Sequence, residues 1–428
     1  MSLLQPETAA ALAVPQERDG GQVFRPSAEL GLEDLQEIVG EGLADLEAAA
    51  LRVDLARADV RQSRLLPNPI LDLEYGTIPF GTTNPADLDR PFANIPNYGV
   101  GVAYPIELGK RRPRIQRDRA LERGARAELD AVTRSQALEL AATLGELATA
   151  ILRLEGFEEM VADSERSVAA AEVRVATSFG VPLDVDRLRV ELTRTEQLVL
   201  TARSDISRAL ADCATRVGRA CERFVDSSAA RAYLEAWIAA DPGEVAIEER
   251  PDLRALSEYG EAASASERLA RAQRIPDPTL RVGYTHDRFW VSGNQMNSFT
   301  ISLSFALPTF DRGQAQRQAA EAQTHRLGAE RSKRVAATQA QLPDLARQVE
   351  LERDRQVLLR DDAIPAAKRI ASAIEDAAES RLTTITEVVQ ARRTLRELLL
   401  AEAEAYAAAY EARLELLRVL APPNETKP

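Results

Sequence analysis

The 428-residue chain contains no run of about 18 apolar residues, so none of its helices reads as membrane-spanning. That shortage does not exclude membrane β-strands, which need only about 10 alternating residues each. Histidine and cysteine are scarce, with two of each. His286 falls in a polar stretch expected to be a loop, and His325 in a helical stretch with no Cys or His within a turn. Neither meets a metal-ligand or catalytic-triad spacing. Gly99-Val100-Gly101 lies in a strand pattern without the helix that a phosphate loop needs after it. The sequence therefore offers no metal site, no cofactor site and no catalytic set, and the chain is not expected to be an enzyme. Basic surface is lacking too. The net charge is -13, which argues against a nucleic-acid partner, whereas an acidic surface or channel favours cations.

Cys213 and Cys221 are too few for a disulfide framework. Two readings stay open. Either Cys213 fills an apolar helical seam as a small core residue, or the pair closes a short disulfide loop in an oxidising compartment.

Aromatics make up only 5% of the chain and charged residues 28%, with Ala, Leu, Arg and Glu abundant. That is the composition of long helices. The chain also repeats itself. Leu66-Pro67-Asn68-Pro69-Ile70-Leu71 is echoed by Ile275-Pro276-Asp277-Pro278-Thr279-Leu280. Each copy follows a helical stretch and precedes two alternating strands and a very long helix. A duplicated order of elements implies an architecture assembled by symmetry. The expected organisation begins with an extended segment over 1–29. This segment lacks a basic stretch followed by an apolar one and does not read as a signal peptide, so a signal would have been trimmed if the protein is exported. The first repeat covers 30–221, with a helix over 32–65, strands over 70–78 and 97–106, a long helix over 108–179 and a helix over 184–217. A linker over 222–249 carries a short helix. The second repeat covers 250–421, with a helix over 252–274, strands over 279–286 and 298–307, a long helix over 313–378 and a helix over 385–420. The tail, 422–428, is expected to be disordered.

Leu140, Leu144, Leu147, Ile151 and Leu154 form a heptad seam, as do Leu188, Leu192, Thr195, Val199, Ala202, Ile206 and Cys213. A helix of roughly 70 residues would be about 105 Å long, with two shorter ones stacked beside it. Pro343 and Pro365 should kink or interrupt the second long helix.

The strands alternate. Leu71, Leu73 and Tyr75 share one face of the first. Tyr98, Val100, Val102 and Tyr104 share one face of the second, opposite only Gly and Ala. Leu280, Val282 and Tyr284 line the third, and Phe299, Ile301, Leu303, Phe305 and Leu307 the fourth. The apolar faces suit lipid and the polar faces a water-filled lumen. Aromatics near the strand ends suit an interfacial girdle. The segments Ile78 to Asn97 and His286 to Asn297 would be exterior loops. Four strands cannot close a barrel, and open edges in lipid are costly, so other copies must complete it. Three copies give twelve strands around an aqueous lumen.

The duplicated Pro-Asn/Asp-Pro motif, the Glu107-Leu108-Gly109-Lys110-Arg111 exit and the paired long helices resemble the TolC-type outer membrane efflux proteins, above all the branch of heavy-metal (cobalt–zinc–cadmium or copper–silver) efflux. The resemblance spans about 30 to 421. It implies a mainly α fold with a small β portion. In it a trimeric, twelve-stranded transmembrane β-barrel, four strands per chain, continues into an α-helical barrel. It also implies a homotrimer in the outer membrane of a Gram-negative bacterium, its helices in the periplasm, docked to a periplasmic adaptor (membrane fusion) protein and an inner-membrane pump of the RND type. Substrate, metal cations or drugs, would be conducted passively. By position the adaptor-binding tips would be Gly180, Val181, Pro182 and Leu183 in one repeat and Ser380, Arg381, Leu382 and Thr383 in the other. The pore constriction would involve Asp186 and Glu387, with Gln390 where another carboxylate is expected. Outside the resemblance, Asp186 and Glu387 read as solvated first-turn residues favoured by the helix dipole. The alternative function is a soluble coiled-coil scaffold or adaptor without a pore, which would need no detergent.

Overall fold

The computed structural model describes residues 23–40, 44–76, 97–177, 181–240, 247–287, 295–380 and 382–420. The elements run α1 (Leu32–Gly40), α2 (Ala44–Arg64), β1 (Ile70–Gly76), β2 (Asn97–Pro105), α3 (Arg111–Ala176), α4 (Pro182–Val217), α5 (Ser227–Ala239), α6 (Pro251–Ala272), β3 (Thr279–Asp287), β4 (Asn297–Ser304), α7 (Gln314–Leu358), a π-turn (Leu359–Ala363), α8 (Ile364–Glu379) and α9 (Ile385–Val419). The chain divides into two compact units, and each is drawn from both repeats. One holds Met1–Glu47, Ala131–Glu249 and Ala337–Pro428, and the other Ala48–Asp130 and Arg250–Ala336.

Several expected bounds shift for local reasons. Of the helix expected over 32–65, the described residues form α1 and α2, and 41–43 lie outside the described residues. The long helix expected from 108 starts at Arg111, because Gly109 turns the chain with φ near +72°. The helix expected from 184 starts two residues earlier, with Pro182 in the first turn of α4, where its missing N–H costs nothing. Pro343 sits inside α7 without interrupting it. Pro365, in contrast, follows the π-turn and takes the first turn of α8. β4 ends at Ser304, so Phe305 and Leu307 lie past the strand.

The sheet belongs wholly to the second unit. Its four antiparallel strands stand in the order β1-β2-β3-β4, so the two hairpins join through β2 and β3 into one sheet. Asp277 closes the base of that joint. Its carboxylate accepts from the Leu108 N–H at 2.9 Å and pairs with Lys110 at 2.7 Å, while the Ile106 N–H donates to the Pro278 carbonyl at 2.9 Å.

The first unit is a helical core. Leu140, Leu144 and Leu147 of α3 are fully buried, as are Tyr233 of α5 and Tyr406 of α9. The Tyr410 ring lies so close over Gly145 that any Cβ there would collide with it. Tyr410 donates to the Ala141 carbonyl at 2.8 Å and meets the Tyr233 hydroxyl at 3.0 Å. Asp226 caps α5 by accepting from the Ala229 N–H. Both readings of the cysteines hold at once. Cys213 is fully buried in the seam of α4 and is bonded to Cys221, with their Cα atoms 6.1 Å apart. Next to Cys221, the Phe24 N–H donates to the Ala220 carbonyl and the Glu222 N–H to the Phe24 carbonyl. The α4 seam also differs in one position. Glu191 is buried, whereas Leu192 is only half-buried.

Candidate channel surface and helical tips

Strand register sorts the side chains into rows. Leu71, Val102, Val282 and Ile301 lie side by side across the sheet, and so do Leu73, Val100, Tyr284 and Phe299. A further row holds Tyr104, Leu280 and Leu303. All of these belong to one face, because alternate residues of a strand point the same way. In water, large apolar side chains in such rows are normally covered. Here Val282 and Tyr104 are half-buried and the others are exposed, Leu73 to 75%. Phe305, one residue past β4, is exposed as well.

The aromatic row at the far end holds Tyr75 and Tyr98, and it corrects the reading of His286. That residue is not in a loop. It lies in β3 opposite Tyr98, with the two rings stacked 4.9 Å apart and Nδ1 2.8 Å from Asn297 Oδ1.

The opposite face is polar and small. Gly99 and Gly101 of β2 and Gly283 of β3 form a shallow trench between Asp72 and Glu74 on one side and Thr300 on the other. Arg281 reaches along this trench to Asp72 at 3.3 Å and Glu74 at 3.8 Å. A Cβ on Gly101 would stand 3.3 Å from the Arg281 Nε, so the missing side chain is what clears the path.

The tips are built differently. At the first, Gly180 lies outside the described residues. Val181 has the extended backbone of a cap but no capping side chain, and Val181, Pro182 and Leu183 are all exposed. At the second, Arg381 lies outside the described residues. Ser380 ends α8, Leu382 is exposed, Thr383 is half-buried, and the Leu382 N–H donates to the Ala377 carbonyl. Thr384 and Glu387 form a reciprocal capping box that opens α9.

Asp186 and Gln390 are exposed on α4 and α9. Glu387 is exposed too, but its carboxylate is engaged, accepting from the Thr384 N–H at 3.2 Å. Charged ties that sequence reasoning missed lie higher in the same unit. Buried Glu191 pairs with Arg396, tying α4 to α9. Buried Arg392 pairs with Glu375 at 2.8 Å, tying α9 to α8. Lys368 pairs with Glu159 at 3.2 Å, and Arg174 donates to the Ala378 carbonyl at 3.0 Å, tying α8 to α3. A glutamate at a seam position, with two arginines four residues apart on a later helix, was the available signal.

A sheet with an exposed apolar face, whose two outer strands have no further partner strand among the described residues, points to the class of membrane β-barrel subunits rather than soluble coiled coils. The comparisons narrow it. The chain belongs to the outer membrane efflux protein family, whose model matches residues 41–219 and 243–421. It is 25% identical over 385 residues to the cobalt-zinc-cadmium resistance protein CzcC of Cupriavidus metallidurans, covering 88% of this chain and 86% of that one. Its fold is similar to that of CusC, a protein described as forming a transmembrane channel, with a TM-score of 0.73 at 16% identity over 99% of this chain and 100% of that one. It is similar also to the outer membrane protein VceC of Vibrio cholerae, with a TM-score of 0.68 at 18% identity over 91% and 95%. The protein is thus an outer membrane efflux protein.

Proposed function

We propose that three copies of the chain close a twelve-stranded barrel in the outer membrane and continue it as a helical tube. The tube receives substrate from a periplasmic adaptor protein and an inner-membrane pump of the RND type. The observation that carries this reading is the exposed apolar face between two open strand edges: lipid covers the face, and only further strands can cover the edges. Substrate passes through the tube passively, and the pump supplies the energy.

Metal cations are the proposed cargo. The relative CzcC is a cobalt-zinc-cadmium resistance protein, and the acidic chain favours cations. The adaptor docks on the two tips, Gly180, Val181, Pro182 and Leu183 on one and Ser380, Arg381, Leu382 and Thr383 on the other, where Val181, Leu183 and Leu382 offer exposed apolar side chains. Asp186, Glu387 and Gln390 line the constriction, where three copies crowd like charge around one axis. The test is reconstitution. Detergent-extracted protein should have the mass of three chains and conduct in planar bilayers, and Asp186→Ala should raise conductance or lower cation selectivity. A monomer that stays soluble without detergent overturns the proposal in favour of a scaffold without a pore.

A further inference from the structure

The sheet already contains one junction between repeats, and it serves as a template for the junction between copies. The lead-in to β1 matches the lead-in to β3, Asn68-Pro69-Ile70 against Asp277-Pro278-Thr279. Within each hairpin Ile70 pairs with Ala103 and Thr279 with Ser304, so the end of β4 matches the end of β2. Inside the chain the end of β2 docks on the lead-in to β3, with Ala103 opposite Arg281 and Pro105 opposite Thr279. The matching pair, the end of β4 and the lead-in to β1, has no partner strand within the described sheet.

Exposure carries the same message. Just past β2, Ile106 and Leu108 are 38% and 39% exposed, because they sit against the lead-in to β3. Just past β4, Leu307 and Phe310 are 72% and 91% exposed.

We infer that β4 of one copy pairs with β1 of a second copy in the register that the internal junction dictates: Ser304 opposite Asp72 and Ser302 opposite Glu74 of the neighbouring copy. This rests on the barrel reading above and fixes its seam. The register keeps the side-chain parity of the internal junction. Leu303 falls opposite Leu73 and Phe305 opposite Leu71, apolar to apolar, while the serines meet the carboxylates. A slip of one residue would set serines among leucines. The lead-in bond repeats as well, with the Leu307 N–H donating to the Pro69 carbonyl of the neighbouring copy. The partner thereby completes a luminal cluster. Asp72 and Glu74 have Arg281 of their own chain on one side and the hydroxyls of Ser304 and Ser302 of the neighbouring copy on the other.

Disulfide trapping tests this. Because the Ile106 N–H bonds the Pro278 carbonyl, the 103/281 and 105/279 pairs are of the non-hydrogen-bonded kind, with Cα atoms about 4.5 Å apart. The matching pairs Ser302/Glu74 and Ser304/Asp72 inherit that spacing. Within one chain these residues are separated by three strand spacings and by four residues along the strand, roughly 20 Å in all, beyond the reach of a disulfide. The chain's own cysteines are already bonded to each other and do not interfere.

The double variant Glu74→Cys with Ser302→Cys, mildly oxidised in native membranes, should run as covalent multimers on a non-reducing gel. Asp72→Cys with Ser304→Cys should do the same. Each single variant should run as a monomer. The shifted pair Asp72→Cys with Ser302→Cys would lie about 8 Å apart and should not link. Preferential linking of the shifted pair overturns the register. So does failure of both predicted pairs in a protein whose detergent-extracted mass is that of a trimer. A monomeric mass for the unmodified protein overturns the barrel reading and the seam together.

Discussion

The long helix of the first repeat, α3, runs unbroken for 66 residues, whereas the second repeat covers the matching stretch with α7, a π-turn and α8. α3 is held by apolar packing, with Leu140, Leu144 and Leu147 fully buried. The buried residues of α7 are few, and two of them are polar, Thr338 and Gln356. Polar ties take over in the second repeat. From the π-turn Arg360 reaches Glu235 of α5 at 3.1 Å, the carboxylate that also accepts from the Tyr406 hydroxyl at 2.8 Å. π-turns shift side-chain direction within a helix and recur at functional positions. The lesson is that one duplicated plan can be stabilised in two ways: by a hydrophobic seam where the chain packs on itself, and by directional charge pairs where it does not.

The sharpest way to break this comparison is to remove packing from both arms. Leu144→Ala in α3 should cost about 2–5 kcal/mol in denaturant unfolding of the detergent-solubilised protein. Leu351→Ala, at an exposed position of α7, should stay within about 0.5 kcal/mol. Equal losses would show that the second arm is packed as the first is.

The disulfide comes next, because only the first repeat has one. It spans eight residues, for which loop-closure entropy gives roughly 2–3 kcal/mol. Cys213→Ser should lower stability by about that much, and reductant should bring the parent protein to the same value. A reductant-insensitive unfolding curve would contradict it.

The tips sharpen the contrast at a smaller scale. Thr384→Ala removes one half of the capping box and should cost about 1 kcal/mol, whereas Val181→Ser supplies the cap that α4 lacks and should gain up to about 1 kcal/mol. Paired thermal scans will show whether the two tips respond with opposite sign.

The smallest effect concerns the junction at Asp277. Partial burial pushes its carboxyl up, but Lys110, the Leu108 N–H and the Arg114 charge together outweigh this and hold it below the ordinary aspartate range. Its contribution is therefore present above that range and is lost as pH falls through the depressed value. Asp277→Asn, which copies Asn68 of the other repeat, should cost about 1 kcal/mol or less near neutral pH and nothing in strong acid. A cost that persists in acid would mean that the ion pair is not its source.

Much of this architecture was legible in the chain. The Pro-Asn-Pro and Pro-Asp-Pro motifs announced the duplication, and period-two alternation marked the one-sided strands. Leu140, Leu144 and Leu147 marked the α3 seam. What escaped detection had no local period. His286 closed the strand expected over 279–286 yet also opened the polar stretch expected to be a loop, and its place in the Tyr75–Tyr98 row is revealed by register alone. Glu191 broke the α4 seam pattern and was passed over, since its partner Arg396 lies more than 200 residues away. The cysteines were eight residues apart, but spacing could not decide whether they bond.

The sequence by itself determined the one-sided strands and the long helices, because each is written in spacings shorter than two helical turns, and the repeat, because a short motif recurs recognisably. Only the tertiary structure decided that two hairpins form one sheet, that Ala103 faces Arg281, and that Arg281 crosses a glycine trench to Asp72. Those facts depend on pairing across roughly 180 residues of intervening chain, and no local periodicity specifies which distant strand will supply the partner.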